Sequence, residues 1–255
     1  MAEEKKYRVE SDLLGELKVP AEAYYGVQTQ RALNNYHISR KRMRDYPDYV
    51  IAIAYVKLAA IQTNHALGVI NDEISGAIEQ ACKEIISGKL HDQFPVDMMQ
   101  GGAGTSVNMN ANEVIANRAL AIMGTQKGEY QYCYPNDHVN RGQSTNDVYP
   151  TALRIAAIRK LRELSQACAD LQEAFQHKEQ AYEKTYKLGR TELMDAVPMT
   201  AGEEFGAYAQ ALSRDRWRLY KIEERLRMVN LGGTAIGTSD TASRQYRYEV
   251  IEELR

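Results

Sequence analysis

Three short stretches combine amides, hydroxyls and small residues in a way that ordinary helix surfaces do not need. The first, Gly104-Thr-Ser-Val-Asn-Met-Asn-Ala-Asn-Glu113, puts Asn108 and Asn112 one helical turn apart with Asn110 between them. Asparagine is a poor interior helix residue because its side chain competes with the backbone for hydrogen bonds, so a helix with several has a use for their amides. The second, Pro135-Asn-Asp-His-Val-Asn-Arg-Gly-Gln-Ser-Thr-Asn-Asp147, ends in two hydroxyls, an amide and a carboxylate just ahead of a helical pattern. The third is Gly189-Arg-Thr-Glu-Leu-Met-Asp-Ala-Val-Pro-Met-Thr200. Neutral donors at a helix N-terminus suit a carboxylate, because free backbone N–H groups and the helix dipole add to the hydroxyls. Taken singly, Ser144-Thr145-Asn146-Asp147 reads more simply as the cap of the helix that follows. Three such loops in one chain favour a site.

Other chemistries lack their residues. Gly101–Gly104 is not followed by Gly-Lys-Ser/Thr, and no strand runs into a Gly-x-Gly-x-x-Gly helix, so phosphate and dinucleotide loops are out. There is no HExxH, no pair of histidines at helical spacing and no acidic cluster for a metal. The five histidines (His37, His65, His91, His138, His177) are scattered, each better read alone as a satisfied or exposed imidazole. Cys82, Cys133 and Cys168 show no CxxC spacing and are expected to be buried thiols in a reducing cytoplasm.

With 32 basic against 34 acidic residues, the net charge of −2 gives no reason to expect nucleic acid or an anionic membrane as partner. The opening MAEEKKYRVE has no apolar core, so no secretory leader is expected. The longest uncharged apolar run, Val50–Val56, falls far short of the ~20 residues a membrane helix needs.

The elements that must position the polar loops are mostly helical, and the chain reads as all-α. A short extended start covers Tyr7–Val9 and Glu16–Val19 across a turn at Asp12–Gly15. Pro47 opens a long run with Val50, Ile51, Ala54, Leu58, Ile61 and Leu67 on one helical face. Asn71 or Asp72 caps a second helix, Ile74–Ile86, which stops at Gly88. A third runs from about Asn108 to Met123. Two seams at three/four spacing follow, Leu153–Tyr182 and Phe205–Val229, with an irregular loop over Leu188–Gly202 between them. A glycine-rich stretch with Gly232, Gly233 and Gly237 then leads to a short helix at Tyr246–Arg255. The two seams need more partners than they can give each other, which points to a helical bundle completed elsewhere.

At this point a resemblance carries the argument further. Gly101-Gly-Ala-Gly-Thr-Ser-Val-Asn-Met-Asn-Ala-Asn-Glu-Val-Ile-Ala-Asn117, Pro135-Asn-Asp-His-Val-Asn140 with Gln143-Ser-Thr-Asn-Asp147, and Gly189-Arg-Thr with Asp195-Ala-Val-Pro198 resemble the N-terminal signatures of the aspartase/fumarase superfamily. Asp12-Leu-Leu-Gly15, Val19-Pro-Ala21, Tyr25-Gly26, Gln93-Phe-Pro-Val-Asp97 and Asn230-Leu-Gly-Gly-Thr-Ala-Ile-Gly237 extend the likeness from about residue 11 to 238. Gly-Ala-Gly-Thr-Ser and Gln-Ser-Thr-Asn-Asp are similar to the aspartate ammonia-lyase branch, while Gln28-Thr29-Gln30 leans toward the fumarase wording.

The resemblance implies reversible elimination of ammonia from L-aspartate to give fumarate, through an enediolate that fixed donors stabilise. It implies that Thr105, Ser144 and Thr145 bind the β-carboxylate, and that Asn146 and Thr191 hold the amino group. Glu192 stands where the family has His or Gln; ionised, it accepts from the substrate ammonium but repels the substrate carboxylates. No organic cofactor and no metal are implied. Family members are homotetramers whose sites collect loops from three subunits. The resemblance further implies an N-terminal lyase domain over 1–140 and part of a central helical bundle over 141–255. The Gly-Ser-Ser loop with the family's general-base serine has no counterpart in this sequence, so the chain is expected to be an N-terminal portion, inactive by itself. The competing expectations are fumarate hydratase or another lyase of the superfamily and, in a different class, a non-catalytic helical assembly module.

Overall fold

The strand β1 (Tyr7–Asp12) pairs antiparallel with β2 (Gly15–Pro20), Tyr7 opposite Pro20 and Asp12 opposite Gly15. The turn forms because Asp12 accepts from the Leu14 N–H at 2.9 Å while Gly15, at φ +106°, takes backbone that side chains resist. The computed structural model describes residues 6–255; residues 1–5, on which part of the leader expectation rests, lie outside the described residues.

Helix α1 (Val27–Asn35) follows from Gly26, which has no side chain to cap it. Its opening N–H groups are met from elsewhere. The Glu113 carboxylate accepts from Gly26 N (2.8 Å), Gln28 N (2.8 Å), Thr29 N (3.0 Å) and Thr29 Oγ1 (2.6 Å), and Glu10 accepts from Val27 N at 2.9 Å. Burial pushes the Glu113 carboxyl up to about 7 against the pull of those four donors.

Helix α2 (Pro47–Ala66) starts with proline at its first turn, where a missing N–H costs nothing. It is buried nearly all round: Tyr49, Ala52, Ile53, Val56, Ala59, Ala60 and Ile61 all lie in the core. The single apolar face expected for it is therefore too narrow, because α2 is the central helix, covered by α3 (Asp72–Ile86) and α7 (Arg244–Leu254). Helix α3 has the expected signals, Asn71 accepting from Ile74 N at 2.9 Å and Gly88 at φ +96° just past the end. Helix α4 (Thr105–Ile122) packs on α3 and contributes Val107, Ala111, Val114, Ile115, Ala119 and Leu120 to the same core. Cys82 and Cys133 are buried there; Cys168 is only partly buried, against expectation, because it sits in the half-exposed second unit.

The chain divides into two compact units, one formed by the residues up to Ala156 together with Val229–Arg255, the other by Ala157–Met228. Helix α5 (Thr145–Ala181) begins in the first unit and runs into the second. In the second unit, the stretch read as an irregular loop over Leu188–Gly202 is a hairpin, β3 (Tyr186–Thr191) against β4 (Met194–Thr200), with a bulge between Leu188 and Arg190. Its turn residues, Glu192 at φ 52° and Leu193 at φ 65°, carry the left-handed backbone that glycine or asparagine usually signals, and the strands are solvent-exposed, so no alternation marked them. Helix α6 (Ala201–Leu226) is capped by a reciprocal Thr200–Glu203 pair.

Within this unit α5 and α6 run antiparallel, Arg162 pairing with Glu223 and Phe175 stacking on Phe205 at 6.1 Å between ring centres. Tyr182 and Tyr208 extend the aromatic contact. Leu164, Leu171 and Trp217 nevertheless remain 51%, 48% and 63% exposed, so each seam has apolar surface that the other does not cover.

Candidate active site

Ser144 sits directly ahead of α5. Its Oγ accepts from Asn146 N at 3.2 Å, while Asp147 accepts from Ser144 N at 3.0 Å, a reciprocal cap. The simpler reading of Ser144 and Asp147 as cap residues is thus correct as far as it goes. Asp147, fully buried, also accepts from Thr234 N at 2.8 Å and thereby ties the glycine-rich stretch to α5. Burial raises its pKa; the backbone N–H groups of Ser144, Thr234 and Gly232 and the Lys57 charge oppose that rise.

Thr145 is used differently. Its Oγ1 accepts from Asn108 Nδ2 at 3.0 Å, which joins α5 to α4. A hydroxyl that accepts keeps its own hydrogen to give. Among the described residues neither Ser144 Oγ nor Thr145 Oγ1 donates to a protein group, so two hydroxyls with unspent hydrogens stand side by side at the start of a long helix.

The Asn146 amide nitrogen donates to Ala235 O at 2.7 Å, and Asn230 Nδ2 donates to Asn146 O at 3.0 Å. Since a carbonyl only accepts, the nitrogen of Asn146 is fixed on Ala235 and its Oδ1 is left as an acceptor. One helix start therefore presents two donors and an acceptor.

Thr105, the first residue of α4, spends its hydroxyl hydrogen on Gly102 O at 2.6 Å. Its loop is locked by Gln100, which accepts from Val107 N at 3.0 Å and donates to Asp97 O at 2.9 Å, and by Gly104 at φ +95°. A Cβ at Gly104 would meet the Tyr149 ring at 2.2 Å, so only glycine lets this loop lie on α5. Gln100, Ala103, Gly104, Asn146, Tyr149 and Leu153 line a shallow cleft of about 480 Å³ there.

The structure thus gathers Thr145 with Asn108 and places Ser144 and Asn146 beside it. Thr191 and Glu192 belong to the second unit and are exposed at its hairpin turn. The other α4 amides have structural uses: Asn110 donates to Gln93 O at 2.9 Å and Asn112 to the Met109 sulfur of its own helix at 3.4 Å.

Sequence reasoning passes over Lys57. It lies in α2 at 0% exposure, and its ammonium donates to Asn140 Oδ1 (2.8 Å) and Gln143 Oε1 (2.9 Å) under the loop that carries Ser144 and Thr145. Burial lowers its pKa to about 7, with the Asp147 charge pulling the other way. The available signal was its isolation, as the one Lys or Arg in the twenty residues of α2. Among the described residues no group of three or more His, Cys, Asp or Glu side chains is arranged to hold a metal.

The family model described as "Lyase" matches residues 15–255. This chain belongs to the lyase family. An aspartate ammonia-lyase of Pseudomonas canavaninivorans is 50% identical over 255 residues, all of this chain and 54% of the relative. That of Escherichia coli (strain K12) is 49% identical over 248 residues, 97% of this chain and 52% of the relative. Among solved structures, a fumarate lyase:delta crystallin from Brucella melitensis superposes with a TM-score of 0.96 at 48% identity, over 98% of this chain and 54% of the other. The lyase chain therefore spans about half the length of the curated relatives it matches. The likeness to the aspartase/fumarase superfamily and to its aspartate ammonia-lyases is borne out, as is the all-α class with two small hairpins added. No helix of the described residues is long and apolar enough to cross a membrane.

Proposed function

We propose that the protein carrying this chain is an aspartate ammonia-lyase, converting L-aspartate to fumarate and ammonia. The observation that carries the reading is the start of α5, where Ser144 and Thr145 have hydroxyl hydrogens to give and Asn146 Oδ1 can accept. A base removes the proton on C3, and the electron pair moves into the β-carboxylate to form an enediolate. Ser144 and Thr145 donate to its oxygens as charge builds, joined by Thr105 once its hydroxyl leaves Gly102 O. The pair then returns to form the C2–C3 double bond as ammonia leaves C2, with Asn146 and Thr191 holding the amino group. Glu192 is proposed only as an acceptor for the substrate ammonium. The base is assigned to the family's Gly-Ser-Ser loop, which this sequence does not contain.

The exposed seams of α5 and α6 support assembly into a homotetramer, in which copies supply the missing cover. The assignment of 1–140 to a lyase domain and 141–255 to part of a helical bundle, a cytoplasmic location and a reaction without cofactor belong to the same proposal. The protein should release fumarate from L-aspartate, followed by ultraviolet absorbance, faster than from L-malate. Faster turnover of L-malate would replace this reading with fumarate hydratase, and no turnover of either would leave the helical assembly module.

A further inference from the structure

Lys57 fixes more than its two partners. An ammonium has three donors and no acceptor, so the amides that meet it must present oxygen. Asn140 and Gln143 do so, and their nitrogens are turned to backbone carbonyls, Asn140 Nδ2 to Gln143 O at 3.3 Å and Gln143 Nε2 to Val139 O at 3.0 Å. Asn140 Oδ1, held as an acceptor, takes a second hydrogen bond from Asn108 Nδ2 at 3.2 Å. The other hydrogen of that nitrogen goes to Thr145 Oγ1 at 3.0 Å. This orientation leaves Asn108 Oδ1 buried without a partner. A free choice of amide orientation would avoid that cost by turning oxygen toward the Thr145 hydroxyl, and Thr145 would then spend its hydrogen on Asn108.

We infer that Lys57 sets the direction of the whole chain of hydrogen bonds, through Asn140 and Asn108, and thereby keeps the Thr145 hydroxyl a donor toward the bound carboxylate. It is a positioning residue that touches no substrate. The inference rests on the reading of Thr145 as a carboxylate donor, and it explains why a lysine is buried with two neutral amides as its nearest acceptors.

Two measurements test it. In the protein that carries this sequence, Lys57→Met should lower kcat for L-aspartate about tenfold with KM little changed, a part of the roughly 10²-fold that removing the donor itself costs. In a Thr145→Val background the same replacement should change kcat less than about twofold, because the relay then has nothing to orient. Equal losses in both backgrounds overturn the inference. The second measurement is nuclear magnetic resonance on this chain, and it needs neither turnover nor a folded Lys57 variant. Lys57 Nζ should show scalar coupling across hydrogen bonds to the side-chain carbonyl carbons of Asn140 and Gln143, and the Asn108 amide hydrogens should move upfield in Thr145→Val. Missing couplings, or an unmoved Asn108 amide, overturn it. If the unaltered protein has no turnover of L-aspartate, the proposed function fails, and the spectra still decide the direction of the relay.

Discussion

Asp147 accepts from the N–H of Ser144 with one carboxylate oxygen and from that of Thr234 with the other, so a single buried side chain both closes the cap of α5 and anchors a loop 87 residues further along. The Asn146 interactions with Ala235 and Asn230 depend on the same juncture. Asp147→Asn places an NH2 against one of the two N–H groups. It should cost about 1–3 kcal/mol in stability, read from denaturant midpoints. It should also speed amide hydrogen exchange at Thr234 more than at core positions of α3. Unchanged exchange at Thr234 would show that the loop is held by other contacts.

Ser144 and Thr145 are adjacent hydroxyls with different second jobs. Ser144→Ala should lower kcat on the order of 10²-fold and also cost ~1 kcal/mol of stability, because the cap goes with the hydroxyl. Thr145→Val should lower kcat by a similar factor with less effect on the melting temperature. Kinetics and thermal melts on both variants check this. A stability loss with kcat preserved would leave these hydroxyls as caps alone.

Two buried groups tilt stability in opposite directions with pH. The Glu113 carboxyl is raised from an ordinary 4.5 to about 7, so the folded state holds a proton that the unfolded state has released between those values. Its contribution is complete below about 4.5 and is lost as pH rises through about 7. Lys57 is lowered from 10.5 to about 7, so its contribution is complete above about 10.5 and is lost as pH falls through about 7. In melts against pH, Glu113→Gln should flatten the acid side of the stability profile and Lys57→Met the alkaline side. A profile unchanged by Glu113→Gln would mean that the carboxyl titrates at its ordinary value.

The turn of the β3–β4 hairpin uses Leu193 at φ 65° with its side chain 99% exposed. Left-handed backbone costs a non-glycine residue on the order of 1–2 kcal/mol, part of which glycine gives back as chain entropy in the unfolded state. Leu193→Gly should therefore stabilise the chain by about 0.5–1 kcal/mol, visible as a higher denaturant midpoint. A lower midpoint would show that the exposed Leu193 side chain has a packing partner in solution.

What the sequence made legible was what neighbouring residues decide. Asn71 and Gly88 bracket α3, Pro47 opens α2, and Ser144 to Asp147 cap α5, each through hydrogen bonds or dihedral angles within four residues. The orientation of Asn146 and Thr145 was out of reach, because Ala235 and Asn108 set it from 89 and 37 residues away. Lys57 was hidden for the same reason: its acceptors lie 83 and 86 residues downstream, and its isolation among the apolar residues of α2 marks burial without naming them. The hairpin over 186–200 was missed because exposed strands have no apolar alternation and its turn lacks glycine.

The borrowed cap of α1 has a consequence for how the chain is made. A nine-residue helix is too short to persist alone in water, and this one has no capping side chain of its own. The N–H groups of Gly26, Gln28 and Thr29 wait for a carboxylate 84 to 87 residues later in the chain, while that of Val27 is met by Glu10 on the preceding hairpin. On a ribosome, α1 therefore emerges long before the residue that completes it and stays unformed until α4 has been synthesised and has docked. Among the described helices it belongs to the slow, non-local part of folding, closing only when that long loop closes.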